Sequence, residues 1–265
     1  MKGIKTVYFS PTGGTEKVAK LFSEELSLSL SVEYFDVTCP EARENELSFS
    51  RDLVVVAMPT YAGRLPNKIL PDLKRILKSD GSSLAVAIAV FGNRSPGDAP
   101  RELALLLKEN GFKVVGMEAF VSRHAFSDKV GEGRPDEEDE RAIKALAAEL
   151  SEKLNGAAWD SVPEIEIDES ELLPYYTPLK EDLTPASFLK AKPVLDPEKC
   201  IGCGICKAAC SVGSIDEFFE TPGICIKCQA CIRKCPVGAR RFEDEEFLSH
   251  IKMLEENYSR PFRLK

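Results

Sequence analysis

Two matched cysteine runs in the C-terminal third of the 265-residue chain constrain the fold more than any other feature. The first run reads CIGCGICKAAC and the second reads CIKCQACIRKCP, so both repeat the spacing C-x2-C-x2-C-x3-C. Together they hold eight of the nine cysteines, namely Cys200, Cys203, Cys206, Cys210, Cys225, Cys228, Cys231 and Cys235. Four soft thiolates on such short spacers suit the corners of an iron–sulfide cubane. The repeat therefore predicts two 4Fe–4S clusters.

The spacing is that of bacterial two-cluster ferredoxins, in which the fourth cysteine of each run binds the other cluster. We therefore expect the first cluster to be bound by Cys200, Cys203, Cys206 and Cys235. The second is expected at Cys225, Cys228, Cys231 and Cys210. Pro236 follows the second run in the usual way, whereas Ser211 stands where the first run would have a proline.

Zinc and disulfides are the alternatives for these cysteines. Zinc sites usually have two cysteine pairs separated by a longer gap. Disulfides are typical of exported chains, and the N-terminus lacks the apolar core of a signal sequence. We therefore expect reduced thiols in a cytoplasmic protein. The sequence has no run of eighteen or more apolar residues, so we expect no membrane span. Its formal charge of −8 argues against nucleic-acid binding.

The N-terminal segment predicts a phosphate-binding turn. Residues 4–10 have the apolar character of a buried strand, and apolar residues at helical spacing follow from Val18 to Leu26. The turn between them reads SPTGGT, and its candidate phosphate ligands are Ser10, Thr12, Gly13, Gly14 and Thr15. Hydroxyls, glycines and a helix N-terminus together suit a phosphate. A simple helix start is the alternative.

The two common nucleotide-binding patterns, G-x-G-x-x-G and the P-loop, are absent from this turn. The turn resembles instead the flavodoxin phosphate loop, Ser/Thr-x-Thr-Gly-x-Thr. The resemblance implies that FMN is the ligand and that neutral donors hold its phosphate.

The rest of the N-terminal half alternates strands with helices. Further strands are predicted at 32–37, 52–58, 84–91 and 114–120, and helices at 66–78, 98–110 and 136–154. This alternation predicts an α/β fold with a five-stranded parallel sheet. We expect the flavodoxin-like strand order 2-1-3-4-5, which binds its ligand beyond the carboxyl ends of the strands.

The loops after the third and fourth strands are the expected flavin-binding loops. They read PTYAGRLP from Pro59 and FGNRSPGD from Phe91. Their candidate FMN-binding residues are Pro59, Thr60, Tyr61, Ala62, Gly63, Phe91, Gly92, Asn93 and Arg94. Tyr61 is expected to stack on the isoalloxazine ring, although it could instead pack on its own loop.

Two other residues carry weaker predictions. His124 follows the fifth strand in a long loop and is a candidate proton donor or substrate contact, with a structural role as the alternative. Cys39, outside both runs, is expected to be an inert thiol.

Composition divides the chain further. Six of the seventeen prolines fall between residues 159 and 198, which favours a surface connector. We expect a flavodoxin-like domain at 1–158, a connector at 159–192, a small α+β ferredoxin domain at 193–245, and a C-terminal helix and tail at 246–265.

Together, the cysteine runs and the SPTGGT, PTYAGR and FGNR loops resemble the flavodoxin-like/ferredoxin fusion proteins. The resemblance implies electron transfer between 4Fe–4S clusters and FMN. We expect an oxidoreductase that reduces a small acceptor or a partner protein. The alternatives are a non-enzymatic electron carrier or reductase subunit, and a redox- or oxygen-sensing protein.

Overall fold

Five parallel strands form the central sheet of the computed structural model, which describes residues 3–26 and 30–259. They are β1 (Ile4–Tyr8), β2 (Val32–Asp36), β3 (Leu53–Pro59), β4 (Leu84–Phe91) and β5 (Lys113–Val121). Their order is β2-β1-β3-β4-β5, which confirms the predicted flavodoxin-like fold. The order reverses at β1, which pairs in parallel with β2 on one side and with β3 on the other.

Four helices cover the two faces of this sheet. They are α1 (Gly14–Glu25), α2 (Leu70–Ile76), α3 (Ala99–Glu109) and α4 (Glu137–Asn155). Leu73 and Leu103 pack from α2 and α3 on one face, and Phe22 and Ile143 pack from α1 and α4 on the other. Because helices cover both faces, β4 is buried at all of its positions.

The helix predicted at 66–78 is shorter in the structure. Residues 66–69 form a turn before α2, and the chain leaves the helix at Leu77. Leu77–Ser79 is a short strand that pairs in parallel with Leu47–Phe49. Pairing with a strand distant in sequence overrides the local helical pattern.

The C-terminal part is a small domain closed by a short antiparallel pair, Val194–Leu195 with Arg240–Arg241. Both cysteine runs lie between these two strands. The runs contain the short helices α5 (Ile205–Ala208) and α6 (Ala230–Arg233), each preceded by a residue with positive φ. The sequence repeat is therefore also a structural repeat.

Helix α7 (Glu245–Tyr258) follows the small domain, and residues 260–265 of the predicted tail lie outside the described residues. Residues 162–193, all described, contain no helix or strand. None of the helices within 3–26 and 30–259 has the length and apolar character of a membrane span.

Candidate functional site

Each cysteine run contributes three cysteines to one cavity and its fourth to the other. The first cavity is lined by Cys200, Cys203, Cys206 and Cys235. The second cavity is lined by Cys225, Cys228, Cys231 and Cys210. These are the two crossed sets expected from the spacing. Four thiols around a largely apolar space fit the donor set of a 4Fe–4S cluster.

Backbone amides point at the fourth cysteine of each run. Ser214 N donates to Cys210 Sγ at 3.2 Å, and Ala239 N donates to Cys235 Sγ at 3.2 Å. Burial opposes ionisation of Cys235, yet the amides of residues 237–240 lower its pKa below the ordinary value. Such donors stabilise the thiolate, which is the form that binds iron.

The other cysteines of the second cavity lie in drier surroundings. Burial raises the pKa of Cys231 to about 12, and burial also raises the pKa of Cys225 and Cys228. Thiols in such a place ionise when a bound cation compensates the charge. In the described part of the chain, no group of three or more Cys, His, Asp or Glu could hold a single metal ion. A cubane instead presents a separate iron to each thiolate.

The two cavities differ in their surroundings. Cys203 of the first cavity is exposed, and the flanking Ile201 is 64% exposed. The second cavity faces the sheet domain, because its lining residues Val212 and Ile226 pack against the sheet core. The second cavity therefore lies next to the sheet.

Two thiols of the second cavity act electrostatically on the phenol of Tyr61. Burial raises the pKa of its phenol well above the ordinary value, and Cys228 and Cys225 act in the same direction. The ring is therefore within electrostatic range of two thiols of that cavity. A residue expected to contact the flavin thus also neighbours a predicted cluster.

The predicted phosphate turn is preorganised. Ser10 is buried, and its Oγ accepts a hydrogen bond from Glu16 N at 2.9 Å. Gly13, the residue before α1, has φ 88° and makes no side-chain capping hydrogen bond of its own. A Cβ at Gly14 would lie 2.4 Å from Ser122 Oγ, so the turn and the end of β5 are in close contact. The N-terminus of α1 and the hydroxyls of the turn fit a phosphate.

The two predicted flavin loops are in contact at the carboxyl edge of the sheet. Asp98 N donates to Gly63 O at 2.8 Å. Ala62 and Asn93 have φ 49° and 58°, and such strained residues cluster at binding sites. Thr60 Oγ1 is buried without a hydrogen-bond partner among the described residues. An unsatisfied hydroxyl between these loops fits a polar ligand such as the flavin edge.

An ion pair fixes the conformation of the Tyr61 loop. Arg64 donates to both carboxylate oxygens of Glu102, at 2.9 and 2.7 Å, and Leu65 N donates to the same carboxylate at 2.7 Å. Arg64 also donates to Leu173 O at 2.7 Å. The loop, α3 and the connector are therefore held together. The sequence analysis did not identify Glu102, a charged residue in an amphipathic helix.

Two tyrosines from distant segments cover these loops. The guanidinium of Arg94 lies 4.4 Å from the ring centroid of Tyr176 and 5.6 Å from that of Tyr258. A Cβ at Gly63 would lie 2.7 Å from the ring of Tyr176. The connector and α7 thus form a cover that local sequence patterns did not indicate. Phe91, a candidate flavin neighbour, is only 2% exposed at the end of β4.

His124 packs against the second flavin loop. A Cβ at Gly92 would lie 2.4 Å from its ring, and its Nδ1 accepts from Phe126 N at 3.1 Å. Burial lowers its pKa to about 4, and His250 and the cation Arg94 act in the same direction. The imidazole is therefore neutral, with its proton on Nε2. Its catalytic role stays a prediction.

The chain is similar to known proteins in two separate regions. The Flavodoxin family model matches residues 7–148, and the 4Fe-4S binding domain model matches residues 193–216. The pyruvate synthase subunit PorD of Methanothermobacter marburgensis is 41% identical over 61 residues, which cover 23% of this chain and 75% of PorD.

Two other matches cover different fractions of the matched proteins. The Escherichia coli protein UacF is 38% identical over 66 residues, covering 22% of this chain, and the chain spans only 10% of UacF. A solved flavodoxin from the domain Archaea has 20% identity and a TM-score of 0.39, and the match covers 57% of this chain and 98% of that one.

Proposed function

Because the chain belongs to the flavodoxin family and also carries a 4Fe-4S binding domain, we propose that it transfers electrons between two 4Fe–4S clusters and FMN as an oxidoreductase. An electron-transfer role for an iron–sulfur flavoprotein is the general function of these domains. The number of clusters, the path of the electrons and the identity of the acceptor are the finer parts of this proposal. The observation that carries it is the packing of the second cysteine cavity, whose lining residues Val212 and Ile226 lie against the core of the sheet that bears the flavin loops.

We assign the FMN site to the carboxyl edge of the sheet. The SPTGGT turn would hold the phosphate through its hydroxyls and the first amides of α1. The loops from Pro59 and Phe91 would hold the ring, with Thr60 and Asn93 offering polar groups. FMN supplies the ability to exchange one or two electrons. The protein provides the orientation and excludes water through Tyr176 and Tyr258.

The crossed sets of four cysteines are the proposed cluster ligands. Amides at Cys210 and Cys235 stabilise thiolates, and the apolar linings keep water away from the sulfurs; both factors tune the potential of a cluster. Electrons would enter at the exposed Cys203 side and pass through the second cavity toward the flavin loops. The limits 1–158, 159–192, 193–245 and 246–265 are the domain division that we propose.

A redox protein is a suitable electron donor. PorD is named as a subunit of pyruvate synthase, which supports exchange with a partner enzyme. The final acceptor is proposed to be a small molecule or a second protein, and the place of action is proposed to be the cytoplasm.

A non-enzymatic electron carrier is the second candidate function. The cover formed by Tyr176 and Tyr258 over the flavin loops favours it, because a covered flavin is less accessible to a small acceptor. The two functions differ in their requirements. The enzyme would be reoxidised by a small acceptor alone, whereas the carrier would need a partner protein.

Anaerobic purification tests the proposal directly. We expect about eight irons, about eight sulfides and one FMN per chain, and reduced ferredoxin should reduce the flavin. Cys228→Ala should lower the iron count by about half and slow flavin reduction strongly. Cys39→Ala, which changes the one cysteine outside the runs, should leave both unchanged. Zinc in place of iron, or failure to bind added FMN, would refute the proposal.

A further inference from the structure

A line of buried polar contacts joins the predicted phosphate turn to the second cysteine cavity. Ser10 N donates to Thr38 Oγ1 at 2.8 Å, and Arg43 Nη1 donates to Thr38 O at 2.8 Å. Arg43 Nη2 then donates to Ser211 O at 2.7 Å. Ser211 Oγ lies 3.5 Å from Cys228 Sγ. Thr38, Arg43 and Ser211 thus connect a proposed FMN ligand, Ser10, to a proposed cluster ligand, Cys228.

Arg43 is the centre of this line. Its side chain is only 3% exposed, although it belongs to a short 3-10 helix after β2. The guanidinium makes four hydrogen bonds, to Val37 O, Thr38 O, Ser211 O and the Asp72 carboxylate. A planar guanidinium with several fixed partners transmits a displacement of one partner to the others. The reason is that leaving any of these buried donors or acceptors without a hydrogen bond costs free energy.

Ser211 explains the departure from the usual proline after the first cysteine run. Its side chain is fully buried, and its carbonyl accepts the bond from Arg43. An iron-bound cysteine is a thiolate without a proton, so the Ser211 hydroxyl is the donor toward Cys228. A proline at this position would lack that hydroxyl. The serine therefore links the sheet domain to a sulfur whose hydrogen bonding affects the cluster.

We propose that Arg43 couples the two sites, so that FMN in the phosphate turn and the cluster in the second cavity stabilise each other. A bound phosphate would hold Ser10, and therefore Thr38, in one position. That position aligns the Arg43 fork with Ser211 and keeps the hydroxyl on the thiolate. By linkage, an intact cluster raises the affinity for FMN by the same factor. The inference rests on the proposed function and adds cooperativity between its cofactors.

The test measures cluster loss in the full-length protein with and without bound FMN. An iron chelator is added anaerobically, and the decay of iron–sulfur absorbance is followed. Couplings between sites are typically about 5–150-fold, so FMN should slow loss of the second cluster at least about fivefold. The phase that belongs to this cluster is identified in Cys235→Ala, which lacks a ligand of the first one.

Three variants interrupt the line at different links. Arg43→Met should abolish the protection by FMN. Thr38→Val removes only the acceptor of Ser10 N, and Ser211→Ala removes only the hydroxyl, so both should weaken the protection even if Arg43→Met fails to fold. Arg101→Met is the matched control, because Arg101 is also enclosed but bonds Asp98 and the connector. It should keep the protection.

FMN binding is measured separately by quenching of its fluorescence. If FMN does not bind, the proposed function fails. If FMN binds but leaves cluster loss unchanged in the unmodified protein, only the coupling is wrong. Protection that persists in Thr38→Val and Ser211→Ala would also overturn it. If Arg101→Met lost as much FMN affinity and as much protection of the cluster as the variants of the line, the effect would not depend on the Arg43 contacts. The coupling through Arg43 would then be wrong.

Discussion

The buried ion pair between Arg64 and Glu102 determines how firmly the Tyr61 loop is held. The Arg64 side chain is 15% exposed and that of Glu102 is 6% exposed. Replacing Glu102 by leucine keeps the volume roughly constant but leaves Arg64 without its carboxylate. Removing one partner of a buried pair costs about 3–5 kcal/mol.

We expect a loss near the lower end of that range. After the change, Arg64 still donates to Leu173 O and lies 5.2 Å from the ring centroid of Tyr175. A loss of about 3 kcal/mol lowers the melting temperature of a domain of this size by about 6–12 °C. Circular dichroism measures the shift, and fluorescence titration should show weaker FMN binding because the loop is less constrained.

A double-mutant cycle isolates the charge effect. Arg64→Met combined with Glu102→Leu removes both charges, so the double variant should recover part of the lost stability. Recovery is incomplete because Leu65 N has then lost its acceptor, at a cost of about 1–3 kcal/mol. The control Lys74→Met breaks an exposed pair with Glu109 and should cost less than about 1 kcal/mol. Losses that simply add in the double variant would refute the reasoning.

Three further expectations concern the clusters, pH and the cover. Cys235→Ala should remove the cluster of the Cys200–Cys206 triplet and spare the other, as judged by iron counts and electron paramagnetic resonance; damage only to the later cluster would contradict crossed ligation. Because burial lowers the pKa of His124 to about 4, the unfolded chain takes up a proton below its ordinary pKa while the folded chain does not. As the pH is lowered from 6.5 to 4, the free energy of unfolding should therefore fall by up to about 1.4 kcal/mol per pH unit. His124→Gln should flatten this profile of stability against pH. Parallel profiles for the variant and the unmodified protein would show that this imidazole is not responsible. Gly63→Ala, at φ 81°, should cost about 1–2 kcal/mol from the backbone plus a clash with Tyr176; adding Tyr176→Ala should relieve only the clash, and no relief would mean that the cover does not contact the loop in solution.

Much of the fold could be predicted from the sequence because its signals are local and periodic. Buried strands are short apolar runs, and the predicted strand at 52–58 differs by one residue at each end from β3 (Leu53–Pro59). The cysteine spacing likewise predicted which thiols share a cavity, since it repeats within one short segment. The helix at 66–78 was too long because the Leu77–Ser79 strand depends on a partner far along the chain.

The contacts that join the two halves could not be read from local patterns. Arg43 and Ser211 are 168 positions apart, and Asn93 donates to Tyr258 O across 165 positions. A buried arginine in a short turn has the same local appearance as an exposed one.

The sequence alone predicted the two kinds of site, because a spacing of thiols and a turn between strand and helix are set by neighbouring residues. Only the tertiary structure decided that the second cavity packs against the sheet core and that Arg43 bridges to Ser211. Those positions follow from how the two domains pack, and packing depends on the shapes of whole surfaces.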